Sequence, residues 1–236
     1  MVSTVIRNWD NKNWLSSKEY IRSFNNFLIK NIKLSSRSKI LDIGCGRGKI
    51  LGDLSKKLRL KNKPIGIDLV NHKDKDKRIY FKKKDAINFF LLNNKKFDLI
   101  IIKQTIHLLK IEQIKRLLFL SKKSLSPNGK ILILSLDDIK NEIPSFKKMD
   151  IRLTKSLKRD KKILDLIKKK YPQVVVKRFI FKVQILKKEY LKMIQKRYMS
   201  ILLKFSNKEI LIGKNEINLK YKQVMKFDDR LICFIL

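Results

Sequence analysis

The sequence predicts a layered α/β fold built on one seven-stranded sheet. Three observations carry this. Short apolar runs of strand length alternate with longer segments whose apolar residues recur at helical spacing. The 236 residues, 44% of them hydrophobic, suffice for a single domain with a full core, residues 1–236. No internal repeat or long linker interrupts the alternation.

The elements follow in order. Residues 20–32 place Ile21, Phe24, Phe27 and Leu28 on one helix face. Residues 40–43 form a short buried strand, and 48–60 the helix after it. "PIGIDL", 64–69, is a second strand. Residues 79–83 make a third, with a short helix near 86–92. "FDLIII", 97–102, is the fourth and most apolar strand. The helix at 110–124 carries Ile111, Ile114, Leu117 and Leu118 at helical period. "SPNG", 126–129, reads as a turn, and "KILILSL", 130–136, as the fifth strand. Beyond Leu136 the alternation loosens. A basic helix over 157–170 stops before Pro172. Residues 173–185 alternate partly, as a sixth strand. Helices over 187–205 and 207–221 follow, and "RLICFIL", 230–236, closes the sheet as the seventh strand.

The formal net charge is +37, with lysine supplying 46 of the 58 basic residues and arginine 12. The joint excess of Lys, Asn and Ile fits the codon usage of an A+T-rich genome. It spreads charge over every helix surface, whereas nucleic-acid sites concentrate arginine and aromatics on one face. The charge favours salt-sensitive attraction to polyanions, and nucleic acid stays open as a partner. The hydrophobic content excludes a disordered polycation. No apolar run approaches the ~20 residues of a membrane span. The start, "MVSTVIRNWDNKNW", lacks the apolar region of a signal peptide. Cys45 and Cys233 form no metal spacing and read as reduced thiols of a cytoplasmic protein.

The chemistry concentrates in "KILDIGCGRGKIL", 39–51, which holds three of the seven glycines. Strand, glycine turn, helix is the order that binds a ligand at a helix N-terminus. The spacing of Gly44, Gly46 and Gly48 is G-x-G-x-G, which differs from the G-x-G-x-x-G of dinucleotide sites and from a P-loop. Asp42 precedes the turn and suits a cationic group rather than a pyrophosphate. Asp68 ends the second strand, where a carboxylate accepts ribose hydroxyls. Asp85 follows the third strand and suits an adenine amino group. S-adenosylmethionine fits a ligand with an amine, a carboxylate, a ribose and an adenine.

Taken together, "ILDIGCGRGKIL", "IGIDLV", "KKDAINFF", "FDLIIIKQTIHLL" and "LSPNGKILILS" resemble the ordered motifs of class I S-adenosylmethionine-dependent methyltransferases. The likeness is to the small "methyltransferase domain" group. It covers about residues 39–136, the cofactor-binding core. It implies a Rossmann-like, mostly parallel seven-stranded sheet with helices on both faces and an antiparallel last strand. It also implies S-adenosylhomocysteine as product. Asp42 with Gly44, Cys45, Gly46 and Gly48 would hold the methionine part. Asp68 and Leu69 would meet the ribose, and Asp85 and Ala86 the adenine. Lys103 and Gln104 would lie near the reacting methyl, with His107 at a position where this group often has histidine.

Each of these residues also has a plainer reading. His107 is either a base or acceptor contact, or a histidine packed before the next helix. Trp9, Trp14 and Tyr20 lie in residues 1–34, which would form a helical lid over the cofactor, with Trp14 and Tyr20 at the acceptor, or simply pack on the sheet. Residues 186–222 would be a helical insertion that binds substrate. There, Arg197, Tyr198 and Ser200 either contact a carboxylate or phosphate, or are surface and core residues. The implied reaction is methyl transfer by in-line displacement to an O, N, S or carboxylate of a small-molecule acceptor. The alternative is a tRNA or rRNA methyltransferase, although "KQTI" replaces the [ND]-P-P-[YF] of amino-methylating nucleic-acid enzymes and no Pro-Cys occurs. A non-catalytic cofactor-binding protein is the third class, disfavoured by the intact glycine turn and acids.

Overall fold

The computed structural model describes residues 13–236, so Trp9 lies outside the described residues. Seven strands form one sheet: β1 (Ile40–Ile43), β2 (Ile65–Asp68), β3 (Tyr80–Lys83), β4 (Phe97–Lys103), β5 (Leu125–Leu136), β6 (Val175–Leu186) and β7 (Val224–Ile235). Their order is β3-β2-β1-β4-β5-β7-β6. β7 runs antiparallel to β5 and β6, and the pairs from β3 to β5 are parallel.

The central strands are apolar on both sides because helices cover both faces. Ile40, Leu99, Ile101, Leu132, Leu134, Leu231 and Cys233 face one core. It is closed by α1 (Lys18–Asn31), α2 (Lys49–Leu58), α6 (Lys187–Gln195) and α7 (Asn207–Lys220). Leu41, Ile43, Ile67, Ile100, Ile102, Ile131 and Ile133 face the other. That side is closed by α3 (Ala86–Leu91), α4 (Ile111–Lys123) and α5 (Lys147–Lys170). Among the described residues, no helix is long and apolar enough to cross a membrane.

Four elements differ from the sequence expectation. The helix expected over 157–170 begins at Lys147. Its first turns are mostly charged, and only Met149 and Leu153 mark the buried side. The single helix expected over 187–205 is broken after α6. Arg197 turns left-handed with φ 51°, and a 3-10 turn follows at Ser200–Lys204. That bend lets Tyr198, Leu202 and Phe205 all reach the core. The "SPNG" turn lies within β5. Phe97 opposes Leu125 and Leu99 opposes Lys130, so residues 126–129 bulge out of the ladder. β7 starts at Val224 rather than 230, because its pairing with β6 runs the full length of both strands.

Candidate active site

The C-terminal ends of β1, β2 and β4 meet at the glycine turn. Gly44, Gly46 and Gly48 have φ of 73°, 55° and 70°. A Cβ on Gly44 would lie 2.2 Å from Thr105 Oγ1, and one on Gly48 2.2 Å from Ile79 Cδ1. Conformation and space both demand glycine at these two positions. Thr105 Oγ1 lies 3.2 Å from the Ile43 carbonyl and 3.0 Å from the Lys103 carbonyl, which ties the end of β4 to β1.

Two acids stand around this turn in fixed orientations. Asp68 Oδ2 accepts the Gly46 N–H at 2.8 Å, and its Oδ1 accepts the Val70 N–H at 2.8 Å. Asp85 caps α3, its Oδ1 accepting from Ile87 N (2.9 Å) and Asn88 N (3.0 Å). Gln104, next after β4, adopts φ 49° while its N–H bonds the Leu134 carbonyl at 2.7 Å. For a non-glycine residue that conformation costs about 1–2 kcal/mol. Such strain gathers at functional sites.

Beneath the turn lies a buried charge cluster on one face of the sheet. Asp42, Lys103 and Asp229 are 7%, 6% and 1% exposed. Lys103 Nζ sits 5.2 Å and 5.5 Å from the ring centroids of Tyr20 and Phe24. Burial pushes the Asp42 carboxyl up to about 7, opposed by Lys103 and aided by Asp68. Burial also raises Asp229, against the pull of the Trp14 indole N–H, which bonds Asp229 Oδ2 at 3.0 Å, and of Lys103. Trp14 meets Tyr198 edge-on at 5.5 Å, and Tyr198 Oη lies 3.1 Å from Tyr190 Oη.

A cavity of about 1500 Å³ joins these parts. It runs from Gly44, Asp68 and Asp85 past Gln104 to Trp14, Tyr198 and the inner side of α5. His107 lines it, with Nε2 3.5 Å from Ser200 Oγ. Burial, with the charge of Arg159 added, holds the His107 imidazole down at about 4, so it is neutral near pH 7. The Arg159 guanidinium donates to the carbonyls of His107 (2.6 Å) and Leu109 (2.7 Å), fastening α5 to this wall.

The methyltransferase-domain family matches residues 40–129. Residues 40–129 are a methyltransferase domain, as the ordered motifs led one to expect. The fold of the chain is similar to three solved structures. One is described as a methyltransferase from an antibiotic biosynthesis pathway of Anabaena variabilis (TM-score 0.61, 16% identity, covering 89% of this chain and 95% of that one). Another is a methyltransferase from Geobacter sulfurreducens in complex with S-adenosyl-L-homocysteine (0.57, 14%, 96% and 95%). The third is the plantazolicin methyltransferase BpumL in complex with a desmethyl analogue and the same product (0.53, 20%, 97% and 87%). No curated protein matches the sequence.

Within the methyltransferase, the residues singled out from sequence divide into two sets. Gly44, Asp68, Leu69, Asp85, Ala86, Lys103, Gln104 and His107 line the cavity, as do Trp14 and Tyr198. Asp42, Cys45, Gly46 and Gly48 do not line it. Asp42 is buried behind the turn, its carboxyl raised by that burial, and Gly46 donates its N–H to Asp68. Cys45 is buried, its Sγ 2.8 Å from where a Cβ on Gly66 would stand. Two acceptor contacts read from sequence need correction. Tyr20 is fully buried, edge-on to Phe179 and Phe181, and belongs to the packing of α1 on β6. Arg197 spends its guanidinium on the Phe205 carbonyl (3.1 Å) and Asn207 Oδ1 (2.9 Å), closing its own loop.

Two lining residues had no place in the sequence reading. Asp229 interrupts the apolar face of β7, between Phe227 and Leu231. A lone acid in an alternating strand was the available signal, lost by starting that strand at Arg230. Asp160 stands one turn before Ile163 and Leu164 on the buried side of α5. Its signal was the same: an acid at an apolar position of the helical period.

Proposed function

We propose that this methyltransferase methylates a small molecule held between the cofactor wall and the helical segments 13–34 and 186–222. The volume of the cavity carries the reading. At about 1500 Å³ it exceeds the roughly 300–1,000 Å³ of single-ligand pockets, so it has room for cofactor and acceptor together. Asp68 fits the ribose, because two backbone N–H groups hold its carboxylate and each oxygen keeps a further lone pair. Asp85 and Ala86 are assigned to the adenine. The glycine turn, with Asp42 behind it, is assigned to the methionine part, and Lys103 and Gln104 to the neighbourhood of the methyl.

The cofactor supplies an activated methyl on a sulfonium. The chain has to align the acceptor in line with it and keep water away. Trp14, Leu15, Met199 and Ile201 suit that exclusion, and they come from the two helical segments. His107, neutral and of low basicity, serves to orient the acceptor rather than to deprotonate it. Cys45 and Cys233 are buried and unbridged, in keeping with a cytoplasmic enzyme.

An RNA acceptor is the competing reading, since exposed Lys155, Lys158 and Lys204 stand at the cavity's edge. Labelled methyl transfer into a cell extract, fractionated into RNA, protein and small metabolites, separates the two. Label in the small-metabolite fraction is the expected result, and label confined to RNA would overturn it. Asp68→Ala should weaken S-adenosylhomocysteine binding in calorimetry, and undiminished affinity would remove Asp68 from the ribose.

A further inference from the structure

The charge of the cavity reverses with depth. Lys155, Lys158, Lys162 and Lys204 are exposed at its edge. The buried charged residues that line it are Lys103, Asp160 and Asp229, so acids outnumber bases inside. Lys103 already acts on both Asp42 and Asp229, and Asp229 accepts the Trp14 indole. Asp160 stands apart. It is 5% exposed, and its Oδ1 has no hydrogen-bond partner among the described residues. The cation acting on it is Arg159, whose guanidinium is committed to two carbonyls.

A buried carboxylate oxygen without a donor costs free energy and calls for an explanation. The native fold tolerates it here beside a cavity with room for an acceptor. We propose that Asp160 docks an amine of the acceptor, taking its N–H in a charge-assisted hydrogen bond. This inference rests on the acceptor reading of that end of the cavity. It runs against the net charge of +37, which by itself would select anions. Burial holds the Asp160 carboxyl up at about 6, and a docked ammonium would draw it back down. Asp160 is then a recognition residue, and the lysines at the edge do not set the acceptor's charge.

The test uses the full chain saturated with S-adenosylhomocysteine, titrated by NMR with benzylamine and, separately, with benzoate. Benzylamine should bind and benzoate should not. Asp160→Asn, which keeps the shape and removes the charge, should weaken benzylamine at least about tenfold while product affinity is retained. Asp160→Ser gives the same readout should the asparagine variant fail to fold. Benzylamine binding unchanged in the variants, tighter binding of benzoate, or no binding of benzylamine to the unaltered protein would each overturn the proposal. Label confined to RNA in the extract experiment would remove the small-molecule reading by a separate route, leaving this titration intact.

Discussion

Asp42 and His107 are displaced from their ordinary titration in opposite directions, and the consequences have opposite sign. Folding moves the Asp42 carboxyl from 3.8 to about 7. In that window the folded chain keeps a proton that the unfolded chain releases. The stability contribution is complete below the unfolded value and is lost as pH rises through about 7. Asp42→Asn removes this titration. Its stability relative to the unaltered protein should therefore improve between about pH 5 and about pH 8, by about 2–3 kcal/mol. Urea midpoints at the two pH values measure it, and an equal difference at both would contradict the burial argument. His107 moves from 6.5 to about 4. Here the unfolded chain binds the extra proton, so stability is lost as pH falls through that window. NMR of the imidazole, assigned against a His72→Gln background, should show a midpoint near 4. A midpoint at the ordinary value would mean that neither burial nor Arg159 acts on the ring.

Element joints depend on pairs distant in sequence. Gly44 at the end of β1 is pressed by Thr105 after β4, and its φ is 73°. Gly44→Ala should lose about 1–2 kcal/mol from backbone strain alone, and more from the displaced threonine. Thermal melts read that loss, and calorimetry should show weakened product binding. A variant that binds S-adenosylhomocysteine like the unaltered protein would show that the turn has slack. Trp14 joins the segment before α1 to β7 through its bond to Asp229. Trp14→Phe keeps most of the ring packing but leaves a buried carboxylate without its donor, a loss of about 1–3 kcal/mol. The glycine turn and both of its acids were legible in the sequence because strand, turn and cap chemistry are local. The Asp229–Trp14 pair was not, because its partners are 215 residues apart and meet only when β7 inserts between β5 and β6.

At the scale of the whole molecule, the +37 charge and the cavity make separable contributions. Raising salt from about 0.05 M to about 0.5 M should reduce affinity for RNA by three orders of magnitude or more. Methyl transfer into the small-metabolite fraction should persist, because its contacts are buried and weakly screened. Transfer that declines in step with RNA binding would tie catalysis to the polyanion instead.

The sequence by itself determined the alternation, the glycine turn with Asp68 and Asp85 beside it, and the methyltransferase domain over 40–129. These are short-range features, in which a few adjacent residues set both backbone conformation and chemistry. The tertiary structure decided the end of the cavity away from the glycine turn. It bent 187–205 at Arg197 so that Tyr198 turned inward, packed α5 so that Asp160 lines the wall, and buried Tyr20 against β6. Those outcomes depend on which faces pack together, and periodicity in one segment carries no information about the partner that will cover it.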